Sequence, residues 1–406
     1  MIALDEALAL LLEGVTPLAC ELVPIGECGG RTLAADVIAA RAQPPDPVSA
    51  MDGYAVQAED ARRGAELTVI GEAPAGAPFA GEVMAGAAVR IATGGVVPPG
   101  ADRIVIQEDV DRTGDRIRIR EQQGGATWVR AAGSDFQAGE TVVRTGETLT
   151  PARLALAAAA NHALLEVRRR PRVAILASGD ELREPRAELE PGNIVNSAGL
   201  AVAELVRGWG GMPIRHAILP DDREACANAL EAADLDVDII VPLGGASVGD
   251  RDALRPLFQA MGARILFERI AVQPGKPSWN ARFDDGRLVL GLPGNPASAF
   301  VCAHLLLRPL IARLLGRQGG APLFKAQLAE GLPACGARET YLRGRLSVRS
   351  EGQLIVTADT RQDSSLQTPL AAANALIRRL PNAAVAEVGE MVEVLLIGEL
   401  AQADLP

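Results

Sequence analysis

Residues 172 to 181, RVAILASGDE, indicate the architecture of the central part of the chain. Their apolar half is typical of a buried strand, and the polar Ser-Gly-Asp-Glu that follows is typical of a loop. The same succession of apolar strand, loop and helix recurs as far as about Gly316, through PIRHAIL, VDIIVPL and RLVLGL. This alternation predicts parallel strands joined by helical crossovers, in an open α/β sheet covered on both faces. Ligands of such sheets bind at the carboxyl ends of the strands.

On either side of this region the sequence returns to short β-type runs separated by Gly, Pro and Asp turns. We expect four domains, the first of which is interrupted by the second. They are an elongated helical and β linker or dimerisation domain at 1–44 and 130–170, an inserted β-rich domain at 45–129, a central doubly wound, mainly parallel α/β domain at 171–318, and a carboxyl-terminal small β-barrel at 319–406. Helices are expected near residues 2 to 13 and 150 to 165, the second with Thr150 as N-cap and Pro151 at its first position.

The composition predicts a soluble protein with large hydrophobic cores. The chain has 406 residues, of which 48% are hydrophobic, and its formal net charge is -11. This acidic balance argues against nucleic acid as a partner, because binding to phosphates needs clustered Lys and Arg. Five scattered cysteines show no metal-binding spacing and suggest reduced thiols in the cytoplasm. The nearest approach to a membrane span, Leu154 to Ala160, is too short, so no membrane association is expected.

Acidic residues follow three successive predicted strands. They are Asp180 and Glu181, Asp221 and Asp222, and Asp250 and Asp252. Each acid taken alone is also typical of a turn or a helix cap. Because the carboxyl ends of parallel strands meet at one edge of a sheet, we expect these acids to share a site. Carboxylate oxygens are ligands that Mg²⁺ prefers, so the pattern predicts a magnesium site.

Glycine- and proline-rich loops predict an anion in the same place. In AVQPGKPSWN, residues 271 to 280, Lys276 stands in a stiff turn between a glycine and a proline, which suggests that its ammonium group faces an anion. After RLVLGL, Asn295 as N-cap and Pro296 in the first helical turn would leave backbone N–H groups pointing outward for an anion. The Gly-Gly pair at 244 and 245 offers further backbone for phosphate.

Three short patterns suggest other chemistry. GGASVG departs from the dinucleotide fingerprint GxGxxG at Ala246, and QPGKPS departs from a Walker A loop at two positions. Residues 245 to 249 do fit GxSxG, with Ser247 as a nucleophile between a strand and a helix. The histidine available to it is His304, which lies in the apolar segment SAFVCAHLLLRPLI, where a packed imidazole is expected. A serine hydrolase is therefore the weaker alternative.

Six motifs occur in order along the chain: PVSAMDGYAV (47 to 56), IATGGVVPPGAD (91 to 102), SGDEL (178 to 182), GGASVGDRD (244 to 252), PGKP (274 to 277) and GLPGNPASA (291 to 299). Together they resemble the molybdopterin molybdenumtransferase family, the molybdenum-insertion enzymes of molybdenum cofactor biosynthesis. The resemblance covers essentially the whole chain. It implies Mg²⁺-dependent insertion of molybdate into adenylylated molybdopterin with release of AMP.

The resemblance also implies partners. It implies a homodimer in which each site is formed by the α/β domain of one subunit and the amino-terminal β domain of the other. Contacts with the adenylyltransferase that supplies the pterin and with maturation factors of molybdoenzymes are implied in the same way.

Functional roles follow from the resemblance, motif by motif. Catalytic roles fall on Asp52, Asp135, Glu181 and Lys276, and Mg²⁺ would be held by Asp52, Glu181 and Asp252. Substrate-binding roles fall on a larger set: Thr93, Asp180, Asp221, Gly244, Gly245, Ser247, Asp252, Gln273, Gly275, Pro293, Gly294, Asn295 and Ser364. From the residues alone, Asp52-Gly53 is also typical of a hairpin turn and Thr93 of an ordinary turn hydroxyl.

Two positions depart from the family pattern. Gln273 stands where the family usually has a lysine, and Asp363 stands where it has a glycine beside Ser364. Because a cation near an oxyanion strengthens its binding, we expect weaker molybdate binding here unless Arg269 or Arg251 compensates. The same departures keep an alternative function open, a catalytically weak pterin-binding scaffold of the same fold.

Overall fold

The computed structural model describes residues 1–121, 124–233, 235–244, 254–317, 322–349 and 352–402. The chain divides into two compact units. The first consists of Met1–Glu21 with Arg168–Pro406, and the second of Leu22–Val167. The finer division into four domains stays a prediction.

A six-stranded sheet forms the centre of the first unit. In spatial order its strands are Met212–Arg215, Arg172–Ala177, Ile239–Leu243, Leu288–Gly291, Trp279–Arg282 and Arg264–Phe267. The first four are parallel, whereas Trp279–Arg282 is antiparallel to both of its neighbours. The spatial order differs from the chain order, as doubly wound sheets require. The predicted mainly parallel α/β fold is therefore confirmed.

Alternate residues of these strands face two separate cores. In Arg172–Ala177, Val173 and Ile175 belong to one core, and Ala174 and Leu176 belong to the other. Helices cover the first core at Leu4–Leu12, Ser197–Gly208 and from Pro296 onward, and the second at Arg223–Ala232 and Leu254–Ala260. Burial of both faces explains why the strands are continuously apolar.

One long helical run crosses the first core. It consists of Pro296–Cys302, a π-helical segment Ala303–Leu307, and Arg308–Leu314. By length and composition these 19 residues could cross a membrane, but 72% of the apolar window is buried inside the protein, as is typical of a core helix. The prediction that Leu154 to Ala160 comes nearest to a span is therefore wrong. The sequence prediction missed this run because it looked for unbroken apolar stretches, and charged residues such as Arg308 interrupt this one.

Five strands close into a barrel at the carboxyl-terminal end of the first unit. In order around the barrel they are Glu339–Val348, Leu354–Ala358, Leu323–Leu328, Met391–Leu396 and Ala375–Arg379, which pairs again with the first. Apolar side chains such as Leu346, Val356 and Ile377 fill the interior. The short strand Val272–Gln273 pairs with Glu339–Val348 and thereby joins the barrel to the α/β domain. The predicted carboxyl-terminal barrel is confirmed.

Three shorter pieces complete the described part of the first unit. They are the paired strands Leu182–Arg183 and Ile194–Val195, the helix Thr368–Ala372, and the strand Ala401–Gln402, which pairs with the barrel. The first pair lies in the segment between Arg172–Ala177 and the helix Ser197–Gly208, beside the carboxyl end of the sheet.

The second unit contains a β-sheet between residues 53 and 119, in the stretch where the sequence predicts an inserted β-rich domain. Its sheet has six strands in the order Arg103–Ile106, Gly53–Val56, Ala87–Ile91, Glu66–Ala73, Arg116–Ile119 and Val110–Thr113. Other strands of this unit and its borders are Cys20–Pro24, Val37–Ile38, Val48–Ser49, Val129–Arg130, Thr141–Val143 and Leu164–Arg168. Its helix, Pro151–Ala159, begins as predicted, because the Thr150 hydroxyl accepts the N–H of Arg153 at 3.3 Å.

Candidate active site

A cleft of about 700 Å³ lies at the carboxyl ends of the α/β strands, beside the barrel. Eight of the predicted site residues line it: Gly244, Gln273, Gly275, Lys276, Pro293, Gly294, Asn295 and Ser364. They come from the loops after three strands and from one barrel loop. The loops after Ile239–Leu243 and Leu288–Gly291 meet because parallel strands bring successive loops to one edge, whereas the Lys276 loop follows Val272–Gln273, a strand that pairs with the barrel.

A neighbouring cavity of about 780 Å³ shares Gly244, Gly294 and Asn295 with the cleft. Glu181 and Asp221 line this second space. Asp180 is tied to the same place, because the N–H of Asp221 donates to its carboxylate at 3.1 Å. The N–H of Asp180 donates in turn to the Asp221 carboxylate at 3.4 Å. Of the four acids predicted at the ends of these two strands, Asp180, Glu181 and Asp221 therefore do meet, whereas Asp222 caps the following helix by accepting the N–H of Ala225 at 2.9 Å.

These acids fit a magnesium ion only if other groups complete its ligand shell. Asp180, Glu181 and Asp221 supply the oxygen donors that Mg²⁺ prefers. Across the residues that the structure describes, no group of three or more His, Cys, Asp or Glu side chains is arranged to hold a metal. Mg²⁺ usually keeps several waters and binds substrate phosphates, so one or two carboxylates can suffice. Two of the residues predicted to hold Mg²⁺ belong to different units, Glu181 to the first and Asp52 to the second.

Two glycines let the loops of the cleft approach other atoms closely. At Gly275, φ is +132°, and a Cβ atom would lie 2.2 Å from the Cys302 sulfur. At Gly294, a Cβ atom would lie 3.3 Å from the Cα of Gly244. A side chain at Gly275 would therefore displace the loop that carries Lys276.

Positive charge exceeds negative charge in the lining of the cleft. Its cations are Arg269, Lys276 and Arg338, and its carboxylate is Asp363. The hydroxyl and N–H of Ser365 donate to Asp363 at 2.6 and 2.8 Å, and these bonds lower the pKa of that carboxyl group. Asp363 is thus ionised and already hydrogen-bonded. An excess of cations in a concave site favours an anionic ligand.

Gln273 contacts one of these cations directly. Its Oε1 accepts a hydrogen bond from the Arg338 guanidinium at 2.9 Å. Because a guanidinium group only donates, the amide oxygen of Gln273 must face Arg338. The amide nitrogen, Nε2, remains as a donor for another group. Of the arginines predicted to compensate for the absent lysine, Arg269 lines the cleft and Arg251 lies outside the described residues. Arg338 was not predicted, since it is 65 positions away in sequence.

The helix that begins at Pro296 is partly capped by the barrel. Asn295 donates from Nδ2 to the Ser364 hydroxyl at 2.9 Å, and the N–H of Ala297 donates to the Ser364 carbonyl at 3.1 Å. The predicted free N–H groups at this helix start are therefore wrong for Ala297. The reason is tertiary, because a loop of the distant barrel supplies the acceptor.

Arg343 fixes the loop that carries Ser364. It is 2% exposed, and its guanidinium donates to the carbonyl oxygens of Arg361, Asp363 and Leu366 at 2.9 to 3.0 Å. Sequence reasoning missed this residue. The available signal was an arginine placed among the buried positions of the strand pattern YLRGRLSV, where an unpaired charge would be costly.

In the second unit, Asp52 and Thr93 are hydrogen-bonded to each other. The Asp52 carboxylate accepts the backbone N–H of Thr93 at 2.7 Å and its hydroxyl at 2.9 Å. These bonds, the backbone bond above all, hold the pKa of Asp52 below its usual value. Gly53 belongs to a strand that pairs on both sides, so the hairpin-turn alternative for Asp52-Gly53 is wrong.

Asp135 is the third predicted residue in the second unit. It is exposed, and its N–H donates to the carbonyl of Gln43 at 3.0 Å. Within the described residues its carboxylate makes no hydrogen bond, so it is available to a ligand.

Four predicted residues, Gly245, Ser247, Asp250 and Asp252, lie outside the described residues. The histidine weighed as a partner for Ser247 is His304, which is 4% exposed and packs against aromatic rings. Burial lowers the pKa of His304 to about 3. It lines a different cavity from the one lined by Gly244, so the structure gives the hydrolase alternative no support.

Comparison with family models accounts for nearly the whole chain. Residues 2–161 match the MoeA N-terminal region (domain I and II), residues 174–313 match a probable molybdopterin binding domain, and residues 325–397 match the MoeA C-terminal region (domain IV). These three regions in this order define a MoeA-type multidomain protein.

Curated relatives and a solved structure agree with the family models. The chain is 36% identical over 335 residues to the molybdopterin molybdenumtransferase of Nostoc sp., covering 80% of this chain and 77% of the relative. It is 33% identical over 381 residues to the enzyme of Haemophilus influenzae, covering 93% and 94%. The molybdopterin biosynthesis moeA protein from Pyrococcus horikoshii OT3 superposes with a TM-score of 0.83 at 30% identity, covering 98% of this chain and all of that one.

The chain therefore belongs to the molybdopterin molybdenumtransferase family. The resemblance drawn from the six motifs is confirmed, as is the prediction that the protein is an enzyme of molybdenum cofactor biosynthesis.

Proposed function

We propose that this enzyme inserts molybdate into adenylylated molybdopterin in an Mg²⁺-dependent reaction that releases AMP. The proposal depends above all on the convergence of Arg269, Lys276 and Arg338 in one cleft at the strand ends. Molybdate and the substrate phosphates are anions, and this cleft is cationic. The adjoining cavity shares three residues with the cleft, which gives a large substrate continuous contact with both.

The predicted roles divide between the two spaces. Lys276 would offset the charge of molybdate or of the substrate phosphates, with the Nε2 group of Gln273 as a further donor. Glu181, as predicted, together with Asp180 and Asp221, which were predicted to bind substrate, would hold Mg²⁺, and the bound ion would polarise a phosphoryl oxygen. Thr93 keeps Asp52 ionised, which suits Asp52 to orient a water or an ion and makes it a weak base.

We further propose that the enzyme works as a cytoplasmic homodimer. The residues carried over from the family fall in two separate units, with Asp52, Thr93 and Asp135 in one and Lys276 in the other. A composite site in which each subunit supplies one group accounts for this division. The adenylyltransferase that supplies the pterin and the maturation factors of molybdoenzymes remain the proposed protein partners.

The direct test is an AMP-release assay. Purified protein is given adenylylated pterin, Mg²⁺ and molybdate, and AMP is measured by chromatography, with molybdate or Mg²⁺ omitted in parallel. We expect release only in the complete mixture. Lys276→Gln should abolish it, whereas Lys325→Gln, an exposed lysine of the barrel, should leave it unchanged. Release that is indifferent to both molybdate and Lys276 would contradict the proposal.

One alternative has a specific motivation. Gln273 replaces a cation and Asp363 adds a carboxylate in the cleft, and both changes weaken attraction for an oxyanion. A pterin-binding scaffold without turnover would bind the adenylylated pterin and release no AMP. Calorimetry on the same preparation separates the two functions, because the scaffold predicts binding heat without product.

A further inference from the structure

Arg90 lies beside the loop that carries Asp52, and none of the predicted roles falls on it. It belongs to the strand Ala87–Ile91 and stands directly opposite Tyr54 of the strand Gly53–Val56. Opposite residues of an antiparallel pair extend to the same face of the sheet. The guanidinium group accordingly lies over the Tyr54 ring, with its central carbon 5.2 Å from the ring centroid. This cation–π contact fixes the direction of the arginine side chain.

The guanidinium group of Arg90 joins two segments of the chain. Its Nη1 donates to the carbonyl of Gly53 at 2.8 Å, and its Nη2 donates to the Oε1 of Gln107. The Nε2 of Gln107 donates in turn to the Glu108 carboxylate at 3.2 Å, so both ends of this amide are engaged. A guanidinium group presents its donors in one rigid plane and can hold two acceptors at a fixed separation. Arg90 therefore ties the start of a strand to the short helical turn Gln107–Asp109.

These two segments adjoin Asp52. The N–H of Gln107 donates to the Asp52 carbonyl at 3.0 Å, and Gly53 is the next residue of the chain. Thr93, three positions after Arg90, holds the Asp52 carboxylate with its N–H and its hydroxyl. The main chain at Asp52 is thus held by Gln107 and Arg90, and the side chain is held by Thr93. Both anchors together fix where the carboxylate points.

Gly53 depends on such backbone contacts for its position. A Cβ atom there would lie 2.2 Å from the carbonyl oxygen of Val105, so the close approach of the two strands requires glycine. Without a side chain to pack, Gly53 is held through its main chain by two neighbouring strands and by the hydrogen bond from Arg90. Loss of the guanidinium group therefore acts directly on the residue that follows Asp52.

We propose that Arg90 is a positioning residue for Asp52 and acts through the Gly53 carbonyl and Gln107. The proposal rests on the proposed function, in which Asp52 orients a water or an ion. Correct placement of such a group lowers the barrier of the reaction more than it strengthens substrate binding. Loss of the Arg90 contacts should therefore lower kcat and leave the KM for the adenylylated pterin unchanged.

Hydrogen exchange measured by mass spectrometry tests these contacts without the reaction. In Arg90→Lys, which keeps the charge and the alkyl chain over Tyr54, the N–H groups of Thr93 and Gln107 should exchange at least about tenfold faster, because both donate to Asp52. A peptide covering residues 92–109 contains both groups. The strand Arg116–Ile119 of the same sheet should keep its rate. Unchanged exchange at 92–109 would overturn the proposal, whether or not the protein releases AMP.

Steady-state kinetics of AMP release tests the consequence for the reaction. In Arg90→Lys we expect kcat to fall about tenfold and KM to stay within about twofold, since an ammonium group keeps the charge but cannot span both acceptors in one plane. Arg116→Ala removes an exposed arginine of the same sheet, which is 3.8 Å from Glu66, and should change neither constant. A wild-type kcat in the lysine variant would show that charge alone suffices, and the proposal would be wrong.

Gln107→Leu tests whether the two contacts act together. It removes the acceptor of the Arg90 Nη2 group and should lower kcat by a similar factor. If Arg90 acts through Gln107, the double variant should be within about twofold of either single variant. Factors that multiply would contradict the proposal. Failure of the proposed function has a different signature, since the wild-type protein would then release no AMP while the exchange difference at 92–109 remained.

Discussion

The side-chain amide of Gln273 lines the cleft and also contacts the cation Arg338. Arg338 holds its oxygen at 2.9 Å, so the amide nitrogen is left to donate into the cleft. A lysine at this position would supply a full charge, but it could not accept the arginine hydrogen bond. In place of the family's flexible lysine, this chain therefore has the amide N–H group of Gln273, which is held by Arg338. The positive charge is that of Arg338 rather than of residue 273.

Gln273→Lys should lower the molybdate concentration needed for half-maximal AMP release, by about fivefold once solvent screening is allowed for. The added ammonium group attracts the oxyanion, and Arg338 is released to do the same. Gln273→Leu is the matched control, since it removes the amide without adding charge, and should raise that concentration. No change with lysine would mean that molybdate does not bind beside residue 273.

The pKa of Asp52 provides a second prediction for a single residue. Thr93→Val removes the hydroxyl donor and keeps the backbone donor, so the lowered pKa of Asp52 should move back toward its usual value. Activity that requires the ionised carboxylate would then be lost at a higher pH on the acidic side of the pH–rate profile. Thr93→Ser keeps a hydroxyl and should leave that limb in place. An unchanged profile in the valine variant would exclude a role for Asp52 as a required anion.

The same hydrogen bonds link Asp52 to the stability of the second unit. A carboxyl group whose folded pKa is depressed stabilises the fold above its unfolded pKa. That contribution is lost as the pH falls through the folded value. In Thr93→Val it should be smaller and should disappear at a less acidic pH in thermal denaturation.

At the scale of elements, the loop after Val272–Gln273 depends on close packing against the long helical run. Gly275→Ala would bring a methyl group onto the sulfur of Cys302 in a backbone conformation that alanine rarely adopts. We expect the free energy of unfolding to fall by about 1–3 kcal/mol and the apparent molybdate affinity to fall with it. Urea denaturation and AMP release measure the two effects.

Gly208→Ala is the control for this variant, because a Cβ atom there meets nothing within 4 Å and φ is not positive. Its stability should stay within about 1 kcal/mol of the wild type. Equal behaviour of the two alanine variants would show that the Lys276 loop tolerates displacement.

Helices and strands were predictable where their signals are local. Thr150 and Pro151 mark the start of a helix, and the structure begins it there. The helix was expected to continue to about residue 165, but it ends at Ala159, Asn161 adopts φ of 71°, and Leu164 begins a strand. The apolar residues after Ala159 could continue the helix or begin a strand, and their spacing alone does not distinguish the two.

At the scale of the whole molecule, the proposed composite site can be tested by complementation. Asp52→Asn and Lys276→Gln should each be inactive as a homodimer. Refolded together, half of the dimers are mixed, and one of the two sites in each mixed dimer has both native residues, so about one quarter of wild-type activity should return. No recovery, with mixed dimers demonstrated by two affinity tags, would contradict a site shared between subunits.

The α/β architecture, the terminal barrel, the family and the loops that carry glycines and acids could be predicted without a structure, because periodicity and turn chemistry depend on neighbouring residues. The contact of Arg338 with Gln273 and the hydrogen bond between Asn295 and Ser364 could not. These contacts join residues 65 and 69 positions apart. They depend on how the barrel pairs with Val272–Gln273 and how its loop folds back over Pro296, which no local pattern encodes.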